Sequence, residues 1–151
     1  MVTRDNVLTE LVPYFKNDAR HYLLINDSGF GKTEEMKKLF PPRVFNFGIM
    51  EQATVGIASG MAQVGLIPVI YSIAAFLVYR SLEQIRIDIV LRNQNVKLIG
   101  NGSGDYFKFL DECHWCKDHD VKLMNLIGMP VYNGDQFKEW IESPAGGYLV
   151  C

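Results

Sequence analysis

At 151 residues the chain fits one domain, long enough to bury a substantial core. A hydrophobic fraction of 48% and a charged fraction of 21% are those of a globular protein and exclude a disordered or fibrous chain. A formal net charge of -2, with no basic patch interleaved with aromatics, gives no electrostatic reason to expect nucleic acid or an anionic membrane as partner.

In chain order, the polar amphipathic stretch 5–15 predicts a first helix rather than a signal-peptide core. His21-Tyr22-Leu23-Leu24-Ile25 reads as a buried strand. Gly29-Phe30-Gly31-Lys32-Thr33 looks like the end of a phosphate-binding loop. The full spacing needs a glycine where Asn26 stands, so a turn followed by a short helix is the better reading. Val44-Phe45-Asn46-Phe47 is the next strand and 51–64 the next helix. From residue 52 to residue 79 no charge occurs, which on length alone could span a bilayer. Gly65-Leu66-Ile67-Pro68 breaks that stretch, so a buried helix, a turn and the strand 67–73 account for it better.

The clearest helical periodicity runs over 77–91. There Leu77, Leu82, Ile85, Ile89 and Val90 line one face, while Arg80, Glu83 and Arg86 fall elsewhere. Strand 96–99, helix 118–126, strand 129–132, helix 135–141 and strand 148–150 complete the chain. Cys113-His114-Trp115-Cys116 has C-x-x-C spacing, but it comes late, after a glycine-rich loop, where two ordinary thiols are expected rather than a redox pair or a zinc site. No metal-ligand set is assigned. Three cysteines, an odd number, point to a reducing compartment and a cytoplasmic protein without disulfides.

Apolar strands separated by helices predict a single α/β domain, with a six-stranded, mostly parallel sheet and helices on both faces. Ligands of such sheets sit at the carboxyl ends of the strands. That draws attention to Asn26-Asp27-Ser28-Gly29, Gly48-Ile49-Met50-Glu51, Ala74-Ala75-Phe76 and the loop 100–104. Glu51 stands out. It falls in the first turn of a helix whose other residues are small or apolar on every face, which predicts a buried helix with a desolvated acid at its mouth.

Phe40-Pro41-Pro42-Arg43-Val44-Phe45-Asn46-Phe47-Gly48-Ile49-Met50-Glu51-Gln52 resembles the signature of the transketolase family, in which a Pro and an Arg precede an F-N-x-G-I-x-E-Q block. The resemblance continues through Ala58-Ser59-Gly60-Met61-Ala62, Gly65, Pro68, Phe76-Leu77-Val78-Tyr79-Arg80, Gln84-Ile85-Arg86 and Val96-Lys97-Leu98-Ile99-Gly100. It is collinear from residue 24 to residue 150. It implies the thiamine-diphosphate-binding fold, with residues 1–151 forming one pyrimidine-binding domain.

The resemblance also implies roles. The glutamate at the position of Glu51 hydrogen-bonds a ring nitrogen of the cofactor's aminopyrimidine. Phe76 and Tyr79 match aromatic positions that pack on that ring, and Leu82 takes a further position that is often aromatic. His114 falls where the family has a substrate-channel histidine in a G-P-T-H segment, although here Asp111-Glu112-Cys113 precedes it and residues 105–110 fit the family loop poorly. Asp27 follows the first strand, where the family has an acid near the cofactor. The family's substrate-phosphate arginines do not occur at the matching places, which puts a phosphorylated sugar in doubt.

The family's diphosphate- and Mg²⁺-binding G-D-G motif does not occur, and its C-terminal domain is not found after the last strand. A split enzyme is the expected consequence. This chain is expected to hold the pyrimidine end of thiamine diphosphate, and a partner subunit its diphosphate and Mg²⁺, with two copies of each. The activity implied is ketol transfer between a ketose and an aldehyde. The alternatives are a component of a 2-oxo acid dehydrogenase-type thiamine enzyme, or a non-catalytic scaffold or regulatory module of the same fold.

Overall fold

The computed structural model describes all 151 residues, Met1–Cys151. Strands His21–Ile25 (β1), Val44–Asn46 (β2), Ile67–Ile73 (β3), Lys97–Asn101 (β4), Val131–Tyr132 (β5) and Gly147–Val150 (β6) form one six-stranded sheet in the order β2-β1-β3-β4-β6-β5. Every neighbouring pair is parallel, so the sheet is wholly rather than mostly parallel. The strand order reverses at β1, with β2 on one side and β3 on the other. In open parallel sheets such a reversal opens a crevice at the carboxyl ends of the strands.

Alternation along the strands supplies two cores. Leu23, Ile25, Val69, Tyr71, Ile99 and Leu149 face helices Val7–Asn17 (α1), Thr33–Leu39 (α2) and Phe137–Glu142 (α6). Leu24, Ile70, Leu98 and Tyr148 face Glu51–Gln63 (α3), Ala74–Gln84 (α4) and His119–Leu126 (α5). Both faces are therefore covered, which is why these strands read as continuous apolar runs. Trp140 of α6 is fully buried and its Nε1 donates to the Gly147 carbonyl at 3.0 Å, tying α6 to β6. No helix is long and apolar enough to cross a membrane.

Two expectations need correcting. The helix expected over 77–91 begins earlier, at Ala74, and is not regular. Ser81 (φ -122°, ψ 19°) breaks the helical geometry, and a π-helical turn spans Ile85–Val90. Carbonyls around these irregularities find side-chain donors: the Ser81 hydroxyl donates to Leu77, and the Ser59 hydroxyl of α3 donates to the Asp88 carbonyl at 2.9 Å. Second, α3 is buried on one side only, through Glu51, Thr54, Val55, Ala58 and Ser59. Gln52, Ala53, Gly56, Ile57 and Gly60 are exposed, because nothing else in the chain reaches that face.

At the amino end of the sheet, fully buried Lys97 donates from Nζ to the carbonyls of Ser143 at 2.8 Å and Ala145 at 2.7 Å. Burial pushes its pKa down from 10.5 to about 8. Between those values the unfolded chain binds the proton that the folded chain has given up. Lys97 therefore makes stability rise with pH across that window, while below about 8 its penalty is carried in full. Denaturant melts of wild type and Lys97→Met at both ends of the window check this. The stability difference is expected to move toward the wild type by about 1–3 kcal/mol from the lower pH to the higher. A constant difference contradicts the argument.

Candidate active site at the carboxyl ends of the strands

The turn after β1 is braced on the segment that leads into α3. Asn26, buried, donates from Nδ2 to the Gly48 carbonyl at 3.0 Å and to the Thr54 hydroxyl at 2.8 Å. Thr54 in turn donates to the Met50 carbonyl at 2.9 Å. Gly48 turns the chain with φ +71°, a conformation that favours glycine, and its N–H donates to Asn46 Oδ1 at 2.9 Å. These bonds fix where α3 starts, and so place Glu51, the first residue of that helix, at the mouth of the crevice.

Glu51 is only 2% exposed. Both of its carboxylate oxygens accept from Arg80 Nη1 of α4, at 3.1 and 3.0 Å. The Arg80 side chain is 42% exposed, and its guanidinium carbon stands 4.1 Å from the centroid of the Phe76 ring. Phe76 meets His114 edge-on, with ring centroids 4.8 Å apart. Ile49, Met50, Glu51, Gln52, Ala53 and Arg80 line an open cavity of about 520 Å³. A buried acid, an aromatic face and an imidazole thus converge where the topology predicts a ligand.

His114 rides on a loop held at several points. The Gly102 N–H donates to the Cys151 carbonyl at 2.6 Å, and Trp115 Nε1 donates to Asp105 at 2.9 Å. Ser103 Oγ at 2.5 Å and the Tyr148 hydroxyl at 2.6 Å both donate to Asp120 Oδ2, under the loop. Gly102 has no room for a side chain, since a Cβ there would lie 2.2 Å from the Phe107 ring, which itself packs toward His114. The two thiols of the C-x-x-C segment differ: Cys113 is exposed with Sγ 3.0 Å from His114 Nδ1, whereas Cys116 is buried. Burial, with Asp120 beside it, pushes the Cys116 thiol up to about 12, which keeps it protonated and unreactive.

Of the residues singled out in the sequence, Glu51, Phe76 and His114 form one cluster. Tyr79 is half-exposed and its hydroxyl meets His119 Nδ1 at 2.6 Å, linking α4 to α5. Leu82 packs at the edge of the core beneath α4. Asp27 is exposed in the turn after β1 with φ +46°, and its N–H donates to Asn46 Oδ1 at 3.1 Å. Sequence reasoning missed Arg80. Its position four residues after Phe76, one turn along the same helix, was the available signal.

Residues 3–106 match the family described as "Transketolase, pyrimidine binding domain". The chain belongs to that family. It is 35% identical over 125 residues to a subunit of an apulose-4-phosphate transketolase from Actinobacillus succinogenes, covering 82% of this chain and 40% of that one. It is 29% identical over 131 residues to a 6-deoxy-6-sulfo-D-fructose transketolase subunit of a Clostridium species, covering 85% of this chain and 40% of that one. Among solved structures, a split-gene transketolase described as an inactive β4 tetramer superposes with a TM-score of 0.82 at 28% identity, over 97% of this chain and 50% of that one. The Campylobacter jejuni transketolase shares the fold, with a TM-score of 0.79 at 18% identity over 98% of this chain and 25% of that one. This pyrimidine-binding domain thus spans about 40% of the length of those curated relatives.

Proposed function

We propose that this chain is the pyrimidine-binding subunit of a split, thiamine-diphosphate-dependent transketolase-type enzyme of the cytoplasm. The enzyme moves a two-carbon ketol unit from a ketose to an aldehyde. A partner subunit grips the diphosphate and its Mg²⁺, in an assembly of two copies of each. The observation that carries the reading is the buried Glu51 carboxylate opening on a cavity that Arg80, stacked over the Phe76 ring, also lines.

The residues present fit the pyrimidine end of the cofactor. Phe76 offers an aromatic face, Glu51 offers two oxygens with almost no competing water, and the cavity beside them is open toward solvent. When bound, thiamine diphosphate supplies the carbanion chemistry of ketol transfer. Glu51 orients the ring through a hydrogen bond at a carboxylate oxygen and holds or releases a proton at that oxygen. His114, on its braced loop against Phe76, faces the substrate and exchanges a proton at a ring nitrogen. Asp27 supports the turn nearest the cofactor, while Tyr79 and Leu82 set how α4 lies over the core.

Partner dependence is supported by the relatives, which are themselves named as subunits, and by the uncovered side of α3. Ile49, Met50, Ile57 and Val64, 42% to 76% exposed, lie beside the cavity or along that helix. Their burial against other subunits would also close the site to water. The test is an assay of ketol transfer with this chain alone, the diphosphate-binding subunit alone, and the two mixed. Transfer only in the mixture is the expected result. Transfer by this chain alone, or association of the two without transfer from any ketose, overturns the reading, and the second outcome favours a scaffold.

A further inference from the structure

We propose that Arg80 occupies, in the free chain, the place that the cofactor's ring takes in the assembled enzyme, and that cofactor binding displaces it. The inference rests on the function proposed above. One guanidinium covers both recognition elements at once: Nη1 is 3.1 and 3.0 Å from the Glu51 oxygens, and the guanidinium carbon is 4.1 Å from the Phe76 ring centroid. A guanidinium is planar, stacks on aromatic faces and donates N–H bonds to a carboxylate. A protonated aminopyrimidine offers the same contacts. The two cannot hold Glu51 and the Phe76 face together.

The exposures of the pair show which member can leave. The Glu51 side chain is 2% exposed and that of Arg80 is 42%. Water can take the guanidinium when it swings away, whereas the carboxylate opens only on the cavity that Arg80 also lines. Glu51 therefore needs an occupant opposite it, and Arg80 serves until a ligand arrives. The break in helical geometry at Ser81, one residue beyond, lies at the base of this side chain. Irregular backbone of this kind clusters at binding sites and switches.

The test titrates thiamine diphosphate with Mg²⁺ into the complex of the full chain and its diphosphate-binding subunit, for wild type, Arg80→Met and Arg80→Lys, following heat of binding. Arg80→Met is expected to bind roughly fivefold more tightly, because no ion pair has to open. Arg80→Lys, which keeps the charge but loses the planar fork, falls between. In the chain alone, the ¹³C signal of the Glu51 carboxyl is expected to move on Arg80→Met. Unchanged or weaker binding by Arg80→Met overturns the displacement and leaves the cofactor assignment standing. Failure of all three complexes to bind thiamine diphosphate overturns both.

Discussion

In the assembled enzyme, Glu51→Gln is expected to lower turnover by about 10²–10⁴-fold, the range associated with losing a positioned acid–base group. The fold should survive the change. Glutamine keeps the shape of the side chain at the start of α3, and the partner it releases, Arg80, is exposed enough to find water. The cost in stability is therefore about 1 kcal/mol or less. Steady-state kinetics of the complex, read beside a thermal melt of the variant chain, separate the two effects. A variant that melts normally and turns over at the wild-type rate would remove Glu51 from the chemistry, whatever the rest of the site does.

The largest expected effect on stability lies far from the site. Trp140→Ala removes a fully buried ring and the bond from its Nε1 to Gly147. Phe137, with its ring centroid 5.6 Å from that of Trp140, sits on the same short helix and can close only part of the cavity. The expected loss is about 3–5 kcal/mol, read as the change in denaturant midpoint at constant slope. This tests whether the segment beyond residue 106, where the family match stops, belongs to the same cooperative unit. β6 lies between β4 and β5, so the fold requires that it does. A loss below about 1 kcal/mol would mean that α6 and β6 dock loosely on an otherwise stable sheet.

Much of the architecture could be read in the residues. The strands over 21–25 and 67–73 are apolar on both faces because both faces are covered, and their limits agree with β1 and β3. The edge strand expected over 129–132 shrinks to Val131–Tyr132, because Pro130 has no N–H to place in a ladder. What periodicity could not convey was distance across the fold. Arg80 reads as an outward charge on an amphipathic helix, and nothing local shows that the first turn of α3 stands opposite it. Ser81 likewise carries no signal for a kink, since its hydroxyl matters only once the backbone has broken.

The burial of α3 departs from expectation for a different reason. Small and apolar residues on every side of a helix predict that every side is covered, and here only one side is. Within this chain Gly56, Ile57 and Gly60 remain exposed, which is where a subunit interface and an intramolecular core are indistinguishable in sequence. The family resemblance singled out Glu51 in the sequence, and the structure adds what it touches. Local pattern and family resemblance thus pointed to the carboxyl ends of the strands and to Glu51, and tertiary geometry supplied the surroundings of that residue.

The central claim is that Glu51 and Phe76 form half of a cofactor site completed by another subunit. The measurement that tests it most directly is calorimetric titration of thiamine diphosphate with Mg²⁺ into this chain, into the diphosphate-binding subunit, and into their mixture. Saturable binding that is tight only in the mixture, and that weakens when the mixture carries Glu51→Gln, is the predicted result. Equal affinity for the partner subunit with and without this chain would contradict the claim.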